Sequence, residues 1–141
     1  MKKVATPQAI VEQMLLNDEY SRWLGLSVLE IGAGFCTCEM TVRPEMVNGF
    51  GIAHGGISFG FADSAFAFAS NSRGRHAVSI ETSINHLAAV QVGDVLRAEA
   101  TENHLSHRLG HYQVRVLRGD DELVALFKGV VYRKGQAWEM E

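Results

Sequence analysis

Asp63 is the one carboxylate in an almost wholly apolar run of thirteen residues, Ile57 to Ala69 (ISFGFADSAFAFA), and Ala53-His54-Gly55-Gly56 stands just before that run. A helix apolar on every face is a buried helix. An acid carried on it is costly unless it is paired or chemically useful. The start of such a helix, preceded by glycines, also directs free backbone N–H groups at whatever lies nearby. An acid and an oxyanion-type donor on one central element suggest chemistry on a carbonyl group.

The rest of the chain must bury that helix. At 141 residues and 47% hydrophobic composition it reads as a single domain, residues 1–141, with enough apolar mass for one core. A net charge of -3 and the absence of basic runs argue against a nucleic-acid surface. The apolar run is too short to span a bilayer and is interrupted by Asp63. Gln8, Glu12 and Gln13 break the apolar stretch that a secretory signal needs, so the expected compartment is the cytoplasm. Cys36 and Cys38 face one side of a strand and are expected to be reduced core residues. No further cysteine completes a thiolate metal set.

Thr6 before Pro7 reads as an N-cap with proline at the first helical position, and Ile10, Val11, Met14 and Leu15 continue a helical stripe to about Asn17. A strand is expected within Leu24–Ile31. Strict alternation from Phe35 to Val42 predicts a second, with Cys36, Cys38, Met40 and Val42 inward. Pro44 to Ala53 is an irregular loop, and the apolar helix is expected from Gly55 to Ser72, closed by Arg73-Gly74-Arg75. Four strand-like runs follow (Ala77–His86, Val95–Asn103, His111–Arg118, Leu123–Arg133), for which successive antiparallel pairing is the simplest arrangement. The expected architecture is α+β: one curved antiparallel sheet wrapped around a long central helix. A sheet covering one helix leaves two edges and a wide outer face, so an oligomer is expected.

Asn48-Gly49-Phe50-Gly51-Ile52-Ala53-His54-Gly55-Gly56, with Phe61-Ala62-Asp63 beyond it, resembles the signature of the hotdog-fold acyl-CoA thioesterases. Asn85-His86-Leu87-Ala88-Ala89-Val90-Gln91-Val92-Gly93-Asp94 resembles their later strand and turn, and the likeness extends over nearly the whole chain. Within that superfamily the chain is most similar to the PaaI-type thioesterases of phenylacetic acid degradation. The resemblance implies that the Gly55 N–H binds the thioester carbonyl oxygen and that Asp63 is the catalytic carboxylate, either nucleophile or general base. It implies that Asn48 and His54 help to hold substrate or water, and more weakly that Ser79 positions the water. It also implies an acyl-CoA substrate, (hydroxy)phenylacetyl-CoA above all, bound across two subunits of a homodimer that pairs further into a homotetramer, with no cofactor and no metal.

The need for two subunits also follows from the helix itself. Gly55 and Asp63 are eight residues apart, about 12 Å along a helix axis, so one carbonyl cannot touch both on one helix. An antiparallel second copy brings Asp63 opposite the other chain's Gly55. Arg75, Arg108 and Arg73 are candidates for the coenzyme phosphates on charge alone. The spacing of His104, His107 and His111 straddles a turn and does not converge on a metal. A hydratase or dehydratase acting on acyl thioesters, or a non-catalytic acyl-CoA-binding protein, are the alternative functions. The first would place its His and acid differently, and the second has no use for Asp63.

Overall fold

The computed structural model describes residues 3–140. Helix α1 (Pro7–Leu16) starts as expected: Thr6 Oγ1 accepts the Ala9 N–H at 3.2 Å, and Ile10 and Val11 are buried. A second helix, α2 (Glu19–Leu24), follows at once, where only an approach to a strand was expected. Asp18 caps it, accepting from the Ser21 N–H at 2.9 Å, and Gly25 ends it in the left-handed conformation at φ 73°. Strands β2 (Ser27–Gly32) and β3 (Phe35–Thr41) form a hairpin. In β3 the alternation holds, with Cys36, Cys38, Met40 and the following Val42 all buried, and the two cysteines free. After a 3-10 turn (Pro44–Met46) comes α3 (Gly55–Asn71), then β4 (Arg75–His86), β5 (Val95–Leu105), β6 (Leu109–Arg118) and β7 (Glu122–Ala137). A short pair, β1 (Lys3–Val4) with β8 (Glu139–Met140), brings the ends of the described chain together.

The main sheet is antiparallel, in the order β2-β3-β5-β6-β7-β4, and α3 packs against one face of it. Successive pairing of the last four strands therefore fails at one point. β5, β6 and β7 pair in turn, but β4 pairs with β7 at the far edge, because β5 already has β3 and β6 on its two sides. The chain must cross from β4 back to β5 under the start of α3. The segment from Leu87 to Asp94 does so, accepting from the Ala53 N–H at Val90 O (2.8 Å) and pairing with Val42 through Gly93 and Asp94. This crossover forms a wall beside the first turn of α3.

Alanines and phenylalanines of α3 fill the curve of the sheet: Phe61, Ala62, Ala65, Phe66, Phe68 and Ala69 are all buried. The Phe66 ring packs against Tyr112 and Phe127, with centroids 5.7 and 5.5 Å away. It also fills the space over Gly129 of β7, where a Cβ would come within 2.6 Å of it. Gly129→Ala is thus an overpacking change in a filled core, expected to cost about 1–3 kcal/mol in chemical denaturation. At the other end of the helix Arg73 binds Glu102 through two hydrogen bonds of 2.7 and 3.2 Å, and the Tyr112 hydroxyl donates to the same carboxylate at 2.9 Å. Burial works to raise the Glu102 pKa, but those donors outweigh it and hold the group below its ordinary value. Gly74, at φ 104°, turns the chain three residues beyond the end of α3. Among the described residues no helix is long and apolar enough to cross a membrane.

Candidate active site at the start of the central helix

His54 begins α3 in an extended conformation (φ -61°, ψ 139°), and its Nδ1 accepts the Gly56 N–H at 2.8 Å. A neutral imidazole bonded in this way carries its proton on Nε2. The Ile57 N–H reaches His54 O at 2.9 Å, and the His54 N–H donates to Met46 O at 2.8 Å. The Gly55 N–H is left with no partner among the described residues. A free donor at the positive end of a 17-residue helix is a place for an oxygen that bears negative charge.

Asn48 shapes the loop that leads to it. Its Oδ1 accepts from Phe50 N (2.9 Å) and Ile52 N (3.4 Å), and Gly51 takes up φ 79° to close the turn. The side-chain oxygen is thus committed to the loop, while the amide nitrogen has no hydrogen bond among the described residues. Asn48, Ile52, Ala53, Gly55, Ser58 and the segment His86–Val90 enclose a cavity of about 380 Å³. Arg118 braces the wall, donating to Ala89 O (2.7 Å) and to Asp94 Oδ2 (2.9 Å). A hydrogen bond from the Gln91 amide, the largest influence, acts with Arg118 to hold the Asp94 carboxyl below its ordinary value against the effect of burial.

His86 has no singled-out role in the sequence, yet it lies closest to Gly55. Its Nε2 stands 3.1 Å from the place a Gly55 Cβ would occupy. Nothing in the spacing of His86 sets it apart; the pairing of β4 with β7 carries the end of that strand to the start of α3.

Asp63 lies two turns further along α3, half-buried, and does not line this cavity. It faces α2. Burial pushes its carboxyl above the usual 3.8, and the Asp18 carboxylate adds to the rise. The Tyr20 phenol is likewise pushed up, by burial first and then by Asp63. Asp18 is itself held by the Ser21 hydroxyl at 2.6 Å, which meets the Ser64 hydroxyl at 2.7 Å. Asp63 has no hydrogen bond or ion pair among the described residues, so its charge is uncompensated by them.

The remaining candidates lie elsewhere. Ser79 is exposed on β4, an edge strand whose other side carries no partner among the described residues, between Val78 (44% exposed) and Ile80 (59%). Arg75 donates to His107 O and Arg108 to the Tyr132 hydroxyl (3.0 Å), both beyond the C-terminal end of α3. Arg73 is engaged by Glu102. His104 and His111 face each other across β5 and β6 with ring centroids 6.0 Å apart, and no cluster of metal-ligating side chains exists among the described residues. One chain thus brings together Asn48, His54, Gly55 and His86, and leaves Asp63, Ser79, Arg75 and Arg108 apart from them.

A family model described as the thioesterase superfamily matches residues 50–125. The chain is 37% identical over 122 residues to the acyl-coenzyme A thioesterase PaaI of Escherichia coli strain K12, covering 86% of this chain and 87% of that one. The solved structure of the E. coli PaaI protein from the phenylacetic acid degradation operon superposes with a TM-score of 0.90 at 34% identity, over 93% of this chain and 95% of that one. A variant of the phenylacetic acid degradation protein PaaI of Thermus thermophilus superposes with a TM-score of 0.80 at 38% identity, over 83% and 100% of the two chains.

Proposed function

The chain belongs to the hotdog-fold thioesterase superfamily, and we propose that within it this enzyme hydrolyses acyl-CoA thioesters, with (hydroxy)phenylacetyl-CoA as the preferred class. The observation that carries the reading is the unpartnered Gly55 N–H at the head of α3, opening onto a cavity, on the same helix as an uncompensated Asp63. The aryl-acetyl preference is supported by the likeness to PaaI proteins of phenylacetic acid degradation.

As the thioester carbonyl is attacked, its oxygen gains negative charge. The Gly55 N–H and the helix dipole stabilise that charge where it develops. Asp63 of a second subunit supplies the attack by one of two routes. Its carboxylate adds to the carbonyl carbon, the C–S bond breaks to release CoA thiolate, and water then hydrolyses the mixed anhydride. Alternatively it takes a proton from water, and the hydroxide adds before the C–S bond breaks. Either route gives free acid and CoA. A thiolate leaves readily, near pKa 8.5 in the free thiol, so no strong general acid is required. His54 holds the first turn of α3 in place, and Asn48 presents its free amide hydrogens to the cavity. Ser79, Arg75 and Arg108 lie apart from this cavity in one chain, and their assignment to the water and the coenzyme phosphates rests on a second subunit carrying them to the site.

The unpaired edge of β4 and the exposed Val78 and Ile80 support an antiparallel homodimer that brings the two α3 helices alongside each other. Phe35 and Val95, exposed on the outer face of the sheet, support pairing of dimers into a homotetramer. An acyl-CoA substrate supports a cytoplasmic location.

Free-thiol release from phenylacetyl-CoA, its ring-hydroxylated forms, and short- and long-chain acyl-CoAs tests the reading. The aryl-acetyl esters are expected to turn over with the highest kcat/KM. Faster turnover of straight-chain esters would move the substrate class, and no thiol from any ester would end the hydrolase reading.

A further inference from the structure

We propose that His86 is a second hydrogen-bond donor to the thioester carbonyl oxygen, acting beside the Gly55 N–H; this rests on the thioesterase reading above. An oxyanion forming on a tetrahedral carbon has room for more than one donor, and each preorganised donor adds to its stabilisation. Gly55 alone supplies one.

His86 is the last residue of β4, paired with Ala125. The strand end is fixed there, because the next two amides, Leu87 and Ala88, both donate to Val124 O (2.9 and 3.2 Å). From this anchor the imidazole reaches over the first residue of α3 with its nitrogen edge leading. Nε2 lies 3.1 Å from the Cβ position of Gly55, Cε1 3.5 Å and Cδ2 3.9 Å. An oxygen placed in the shared cavity between the Gly55 N–H and Nε2 can accept from both. Neither ring nitrogen of His86 has a partner among the described residues, and the side chain lines the same cavity as Gly55. The other histidine at this end, His54, has its Nδ1 held by the helix cap.

This arrangement also accounts for glycine at position 55. Its φ is not in the left-handed region, so the backbone does not require glycine there. The approach of the imidazole favours it: a Cβ would stand 3.1 Å from Nε2, and the ring would have to give way by a few tenths of an ångström.

The test compares wild type with His86→Phe and His86→Gln by steady-state thiol release from the best acyl-CoA ester. His86 is exposed, so neither replacement disturbs the core, and thermal melting confirms that each variant folds. The Phe variant keeps the ring and loses the N–H; kcat is expected to fall about 10²-fold with KM little changed. The Gln variant places an amide N–H near the position of Nε2 and is expected to recover at least about tenfold of that loss. A Phe variant with wild-type kcat, a loss confined to KM, or a Gln variant no better than Phe overturns the proposal while leaving the thioesterase reading intact. A wild-type protein that releases no thiol from any ester overturns both.

Discussion

Gly55→Pro is expected to remove about 10²–10³-fold of kcat/KM while leaving the fold in place, because it deletes one N–H and adds only a Cβ against His86, which the Gly55→Ala control also carries. Gly55 is the first residue of α3, the helical position at which proline is best tolerated, since that amide has no intrahelical partner. The residue before a proline must be extended, and His54 already is, at φ -61° and ψ 139°. Gly55→Ala is the control. It adds the same Cβ, 3.1 Å from His86 Nε2, but keeps the N–H. The difference between the two variants in steady-state thiol release is the contribution of the backbone donor. Equal activity in both would mean that the Gly55 N–H does not touch the carbonyl oxygen.

Asp63→Asn is expected to lose at least about a hundredfold in kcat by removing the nucleophile or base, and at the same time to raise the melting temperature. The second effect follows from the direction of the pKa shift. The Asp63 carboxyl is raised in the folded chain, by burial and then by Asp18, so the folded state holds its proton more tightly than the unfolded state does. The stability this contributes is fully present below the ordinary carboxylate pKa and is lost as pH rises through the raised folded value. At neutral pH the ionised group therefore opposes folding, and an amide of the same shape does not. The same shift predicts that wild-type kcat/KM rises with pH through a value above 3.8, as Asp63 ionises. A stability gain at the expense of activity is the usual behaviour of a functional group held where the fold does not favour it.

Much of this was readable in the chain. The apolar run with one carboxylate marks α3, and the alternation from Phe35 to Val42 marks β3 and its inward cysteines. The Asn48-to-Asp63 pattern points to the family, as the comparisons bear out. Other features depend on contacts between distant segments. Helix α2 is too short to show a hydrophobic period, although Asp18 before it and Gly25 after it are the local signals of its start and stop. It supplies the Asp18 carboxylate that perturbs Asp63. The place of β4 at the far edge cannot be read from short turns, because pairing is decided by which strand edges β3 and β6 have taken. That same placement of β4 carries His86 to Gly55, which no spacing in the sequence reveals. His54 and Asn48 show why type alone underdetermines role: each has one polar atom holding the local backbone, His54 Nδ1 on Gly56 and Asn48 Oδ1 on its loop, and another left free to face substrate.

The central claim is that one chain's Gly55 works with the other chain's Asp63, and a purified mixed dimer tests it most directly. Gly55→Pro and Asp63→Asn subunits, each inactive as a homodimer, are co-expressed with different affinity tags and isolated together. A site shared between subunits predicts that one of the two sites in this dimer is wild type, with about half of wild-type thiol release per dimer. A mixed dimer as inactive as its two parents would contradict the shared site.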